Sequence, residues 1–197
     1  LRLMLGLVVA MPEEEAVSII QDVLQGLRSV HEDDLLHRDI DPQNIYRTAD
    51  GKVVLLDFGA ARVAMGKRQD NELVVLKPGY APPEQYRNDD QGPWTDVYAC
   101  AATLYKCLTG LKPPEAPHRA DDDTLVSPQE VHPEISLDVS VAVMKGLSLS
   151  PEQRPASVEA FSALLKKPSS KAQNDAGPAQ QIPPPEDPTE SGTSSAS

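Results

Sequence analysis

The stretch His37-Arg38-Asp39-Ile40-Asp41-Pro42-Gln43-Asn44 decides the reading of this chain, together with Asp57-Phe58-Gly59, which begins eighteen residues after Asp39. Two short apolar runs, Ile45–Arg47 and Val53–Leu56, lie between them around Asp50-Gly51, the pattern of a β-hairpin. Upstream, Ala16, Ile19, Ile20, Val23, Leu24, Leu27 and Val30 recur at three-and-four spacing, which predicts a helix over 12–31. Pro12 suits its first turn, and Glu13, Glu14 and Glu15 complement its dipole. Residues 32–44 read as a loop. Pro78, Pro82, Pro83 and Pro93 leave 57–95 mostly irregular. Asp96–Thr109 carries apolar or small residues on nearly every side, so it reads as a helix in the middle of a core, stopped by Gly110. The Pro- and Asp-rich residues 111–136 read as loop. Helices follow over Leu137–Leu147 and Val158–Lys167, the second capped by Ser157.

Composition narrows the function. The chain has 197 residues, 40% of them apolar and 24% charged, enough for one ordinary domain. Thirty acids against 18 bases give a net charge of −12, which argues against a nucleic-acid partner and favours a basic protein or peptide. No apolar run approaches the ~18 residues of a membrane span. Two cysteines exclude a disulfide scaffold and point to a reducing, cytoplasmic setting. Cys100 and Cys107 sit about 10 Å apart along one helix, too far to bridge. His31, His118 and His132 lack neighbours at zinc-ligand spacing. The opening residues have only Arg2 ahead of their apolar run and no clear cleavage site, so they read as a chain cut from a longer protein rather than a signal peptide. Residues 168–197 hold six Pro, six Ser and Ile182 as the only large aliphatic, the composition of a disordered tail. The expected domains are thus 1–167 and 168–197.

An Asp, an Asn and a second Asp at the ends of a loop and a hairpin are what phosphoryl transfer needs. One carboxylate orients the attacking hydroxyl, and two oxygen ligands hold Mg²⁺ on the phosphates. Their order and spacing resemble the protein-kinase signature. Lys77-Pro78-Gly79-Tyr80-Ala81-Pro82-Pro83-Glu84-Gln85 is similar to the segment that closes a kinase activation loop. Thr95-Asp96-Val97-Tyr98 opens the buried helix as in kinases, and Pro151-Glu152-Gln153-Arg154-Pro155 resembles the late arginine that pairs with the closing-segment Glu. The wording is that of bacterial serine/threonine kinases, from about Pro12 to Lys167. The implied fold is mainly α with a small β-hairpin, the C-terminal lobe of a protein kinase. The implied activity is ATP- and Mg²⁺-dependent phosphorylation of protein Ser/Thr hydroxyls.

The resemblance assigns roles residue by residue. Asp39 is the catalytic base or hydroxyl-orienting group, and Asn44 and Asp57 are Mg²⁺ ligands. Arg38 contacts the activation loop, and His37 packs beneath Phe58, beside Gly59. Asp96 holds the backbone of the catalytic loop, with a simple helix N-cap as the plainer alternative. Glu84 and Arg154 form a buried structural pair.

Four departures matter. No G-x-G occurs, and the first lysine is Lys52, so a small N-terminal lobe with a glycine-rich loop is missing and expected in a parent chain. The isolated chain is expected to have little activity. The Lys usual two residues after the catalytic Asp is Asp41, and the Thr usual before Pro-Gly-Tyr is Lys77. Lys77 is expected to supply the absent cation, paired with Asp41 or Asp39; an exposed Lys and a solvated Asp are the alternative. Ala60 to Pro83 contains no Ser or Thr, so no activation-loop phosphorylation switch is expected. Tyr46 stands where the family places Leu under adenine, and either stacks on that ring or crowds it. Two rival functions are a non-catalytic kinase-like binding module and a small-molecule phosphotransferase.

Overall fold

The computed structural model describes residues 3–4, 10–56, 62–63 and 76–166. Helix α1 (Glu13–Glu32) buries the stripe Ala16, Ile19, Ile20, Val23, Leu24 and Leu27, and its first turn is acidic. Its apolar face lies on α3 (Pro93–Thr109), of which only Pro93, Trp94 and Lys106 escape burial. A helix apolar on all sides needs neighbours on all sides, and α3 has them. It packs against α1, α6 (Leu137–Gly146) and α7 (Val158–Leu164). Gly146 lets α6 approach closely: a Cβ there would stand 2.5 Å from the Ala101 methyl. Ser136 and Ser157 cap α6 and α7 through their hydroxyls.

The hairpin pairs β3 (Ile45–Arg47) with β4 (Val53–Leu55), Ile45 opposite Leu55 and Arg47 opposite Val53. It turns at Gly51, whose φ of 87° suits glycine. The two-residue β1 (Leu3–Met4) adds to the other edge of β3, and β2 (Leu35–Leu36) pairs with β5 (Arg62–Val63), both antiparallel. The hairpin rests on α1, where Arg47 meets Glu15 at 2.5 Å.

Several boundaries differ from the sequence reading. Helix α3 begins three residues early, because Pro93 fits the first helical position and Gly92 precedes it in extended conformation. The expected loop 111–136 contains two short helices, α4 (Ala116–Asp121) and α5 (Pro128–Val131). Helix α5 is held by a capping box: Glu130 N–H donates to Ser127 Oγ and Ser127 N–H to the Glu130 carboxylate. Helix α4 is fixed by buried Arg119, which donates to Asp123, the Tyr98 hydroxyl and the Leu147 carbonyl. Between Pro78 and Pro93 the one-turn α2 (Pro83–Arg87) forms. The expected tail 168–197 lies outside the described residues.

Candidate active site

The site starts from one carboxylate. Asp96, in the first turn of α3, is wholly buried. Its Oδ1 accepts from Arg38 N–H at 2.8 Å, and its Oδ2 accepts from His37 N–H at 2.9 Å. His31 Nε2 sits 2.8 Å from the same Oδ2. Asp96 is not the N-cap of its own helix, a place held by Gly92; it grips two successive backbone amides of the loop 37–44. Arg38 has a φ of 65°, a left-handed conformation that costs an ordinary residue about 1–2 kcal/mol. The charged acceptor on its N–H helps offset that cost.

The loop then folds on itself. Asp41 Oδ1 accepts from Gln43 N–H at 2.6 Å and from Asn44 N–H at 3.2 Å, an Asx-type turn running through Pro42. Asn44 Nδ2 donates to the Asp39 carbonyl at 2.7 Å and to Asp39 Oδ2 at 3.0 Å. With its NH₂ committed to Asp39, the amide oxygen is the end of Asn44 that could hold a hard cation. Leu56 N–H donates to the Asn44 carbonyl at 2.7 Å, which brings the end of the hairpin to Asn44 just before Asp57. Asp57, Phe58 and Gly59 lie outside the described residues. Among the described residues, no group of three His, Cys, Asp or Glu could hold a metal.

Lys77 enters from the closing segment. Its Nζ lies 3.1 Å from Asp39 Oδ1 and 2.5 Å from Asp41 Oδ2. The Lys77 side chain is 30% exposed, Asp39 22% and Asp41 only 4%. Burial alone would draw the ammonium's pKa down, but bonds to Asp41 and Asp39 outweigh it and hold the pKa above its ordinary value. The exposed Lys and solvated Asp are therefore not what this fold contains. Gly79, with φ 84°, lets the segment pass close to the Pro113 carbonyl. Gln85 Nε2 donates to the Arg38 carbonyl at 3.1 Å, a second tie to the loop. Below, Arg154 forks onto Glu84 at 2.7 and 3.0 Å, both side chains buried.

His37 is fully buried and its Nδ1 accepts from Asp39 N–H at 3.4 Å, a structural place. Tyr46 is half-buried on β3, opposite Val54. The fold thus gathers Asp39, Asp41, Asn44 and Lys77 at one point, and sets Glu84 and Arg154 apart as a second cluster. Sequence reasoning missed His31 and Gln85. Neither carries a local pattern, since each is defined by a partner distant in the chain.

Comparison with known proteins places the sequence in a family. Residues 4–168 match the protein kinase domain family. The chain is similar to the serine/threonine-protein kinase PknB of Mycobacterium leprae, 34% identical over 155 residues, covering 73% of this chain and 24% of that protein. It is also similar to the serine/threonine-protein kinase PknH of Mycobacterium bovis, 36% identical over 157 residues, 72% of this chain and 25% of that protein. The chain spans about a quarter of the length of these curated relatives. A match over most of the chain, on a fold that assembles the expected loop, makes this chain a member of the protein kinase family.

Proposed function

We propose that this chain supplies the large-lobe half of a serine/threonine protein kinase that phosphorylates protein Ser/Thr hydroxyls from ATP. The observation that carries it is the convergence of Asp39, Asn44 and Lys77 on a loop clamped by Asp96. Asp39 orients the acceptor hydroxyl and takes its proton. Its two oxygens are fixed by Lys77 and Asn44, and lone pairs beyond those bonds remain for the hydroxyl. Lys77 is the cation beside the acceptor, where fixed positive charge favours the charge that develops during transfer. Asn44 and Asp57 would hold Mg²⁺, an all-oxygen donor pair of the kind that ion takes. Mg²⁺–ATP, when bound, brings the phosphoryl group and neutralises its charge. Tyr46 would meet the adenine ring, either stacking on it or crowding it.

Without a glycine-rich loop or a lysine ahead of Lys52 to complete the nucleotide clamp, the 197-residue chain by itself would have little activity. Two buried free cysteines suit a reducing cytoplasm. No helix among the described residues is long and apolar enough to cross a membrane. The test is γ-phosphate transfer to polypeptide Ser and Thr by the kinase that contains this chain, with Asp39→Asn as control. Phosphoserine or phosphothreonine that disappears in the variant is expected. Transfer only to small molecules, or transfer unchanged by Asp39→Asn, would overturn the reading.

A further inference from the structure

The role of Asp41 follows from three contacts made by one carboxylate. Oδ2 meets Lys77 Nζ at 2.5 Å, while Oδ1 takes the Gln43 and Asn44 amides. The residue is 3% exposed, and a carboxylate so buried is tolerated only when it is bonded on both oxygens. Lys77 lies 0.6 Å nearer to Asp41 than to Asp39 (3.1 against 2.5 Å), so Asp41 is the firmer anchor.

We propose that Asp41 is a positioning residue: its buried carboxylate holds the Lys77 ammonium against Asp39, so the cation at the reacting end is delivered by the closing segment. This rests on the reading of Asp39 given above. The same carboxylate sets the register of Asn44, whose NH₂ binds Asp39. One side chain thereby fixes the cation and the amide on the two oxygens of Asp39. The consequence is a coupling: the cation is in place only while residues 77–85 are docked. That segment also carries Gln85, bonded to the loop, and Glu84, bonded to Arg154. Docking of the substrate-side segment and assembly of the catalytic centre become one event. The fold needs no phosphate in the activation loop to achieve it, which fits a segment lacking Ser and Thr from Ala60 to Pro83.

Asp41→Asn separates the two functions of the residue. The amide oxygen can still accept from Gln43 and Asn44, but the charge that holds Lys77 is gone. In the 197-residue chain, the Lys77 ammonium signal is followed by NMR, with Lys77→Met identifying it. Asp41→Asn should speed exchange of that ammonium by about tenfold or more, the scale of one lost charge-assisted bond. The Gln43 and Asn44 amides should stay protected. In the kinase containing this chain, the same variant should lower kcat by about tenfold to a hundredfold, as for a group misplaced by about 1 Å, with KM for ATP little changed. An unchanged Lys77 signal or an unchanged kcat would each overturn the proposal. Loss of the Gln43 and Asn44 protection along with the Lys77 signal would do so too, showing only a structural carboxylate. An unsubstituted kinase without transfer activity would instead sink the functional reading, and Asp41's part in catalysis with it, while the Lys77 signal still reports whether Asp41 holds the cation.

Discussion

Arg154→Met is the sharpest perturbation of the fold. The guanidinium makes two bonds to Glu84 and donates to the carbonyls of Ser148 at 2.7 Å, Leu149 at 3.0 Å and Trp94 at 3.3 Å. It also lies 5.0 Å from the centre of the Tyr98 ring. Methionine keeps a long apolar stem and removes the fork. Glu84, 1% exposed, is then left with the Thr95 hydroxyl at 3.0 Å as its remaining described donor. Breaking one side of a buried pair costs about 3–5 kcal/mol. Against the ~5–15 kcal/mol that holds a typical domain, that brings the variant near the edge of folding. Removing both charges is far milder, so Arg154→Met with Glu84→Met should recover most of the loss. Urea unfolding followed by Trp94 fluorescence measures both, since Trp94 is the only tryptophan and its carbonyl is one of the bonded groups. A single-variant loss below about 1 kcal/mol, the scale of an exposed pair, would refute the reasoning. So would a double variant as unstable as the single.

Three further expectations concern other parts of the chain. Gly79→Ala places a Cβ 2.7 Å from the Pro113 carbonyl at a φ of 84°, and should cost more than about 1 kcal/mol in urea unfolding; no loss would contradict the tight approach. Burial pushes the Cys107 thiol up to about 12 and raises that of Cys100 well above its usual value. Neither should react with thiol reagents at neutral pH except through unfolding, and labelling at the rate of a surface thiol would contradict this. The bond from Arg119, partly opposed by burial, holds the Asp123 carboxyl below its ordinary 3.8. A depressed folded-state pKa gives stability that is present above the unfolded value and lost as pH falls through the folded one. Asp123→Asn should therefore be slightly less stable than the parent at pH 7, by less than about 1 kcal/mol for so exposed a partner, with the gap closing below about pH 4. A gap that widened in acid would contradict the sign.

The sequence was most legible where local pattern and tertiary role coincide. The α1 stripe and the all-round apolar α3 announced a helical core, and Asp50-Gly51 announced the hairpin. The closing residues of the site were legible for a different reason. Phosphoryl transfer needs few residue types at fixed order, so a charge exchange at Asp41 and Lys77 stood out against the resemblance. Helices α4 and α5 were read as loop because Pro and Asp dominate 111–136 and neither helix is long enough for periodicity. The signal for α5 was present in Ser127-Pro128-Gln129-Glu130, a capping box with Pro at the first helical position. His31 was invisible in its helix, because its meaning comes from Asp96, 65 residues away. Gln85 likewise acquires its role from the Arg38 carbonyl, 47 residues distant.

The most direct test of the central claim, that Asn44 and Asp57 form the metal and nucleotide end of this lobe, is calorimetry of ATP binding to the chain with and without Mg²⁺. The account predicts binding that requires Mg²⁺ and is abolished by Asp57→Ala. Binding that persists without Mg²⁺ or in the variant would contradict it. No binding under any condition would contradict a site formed by this lobe alone, and would leave the chain as a kinase-like scaffold.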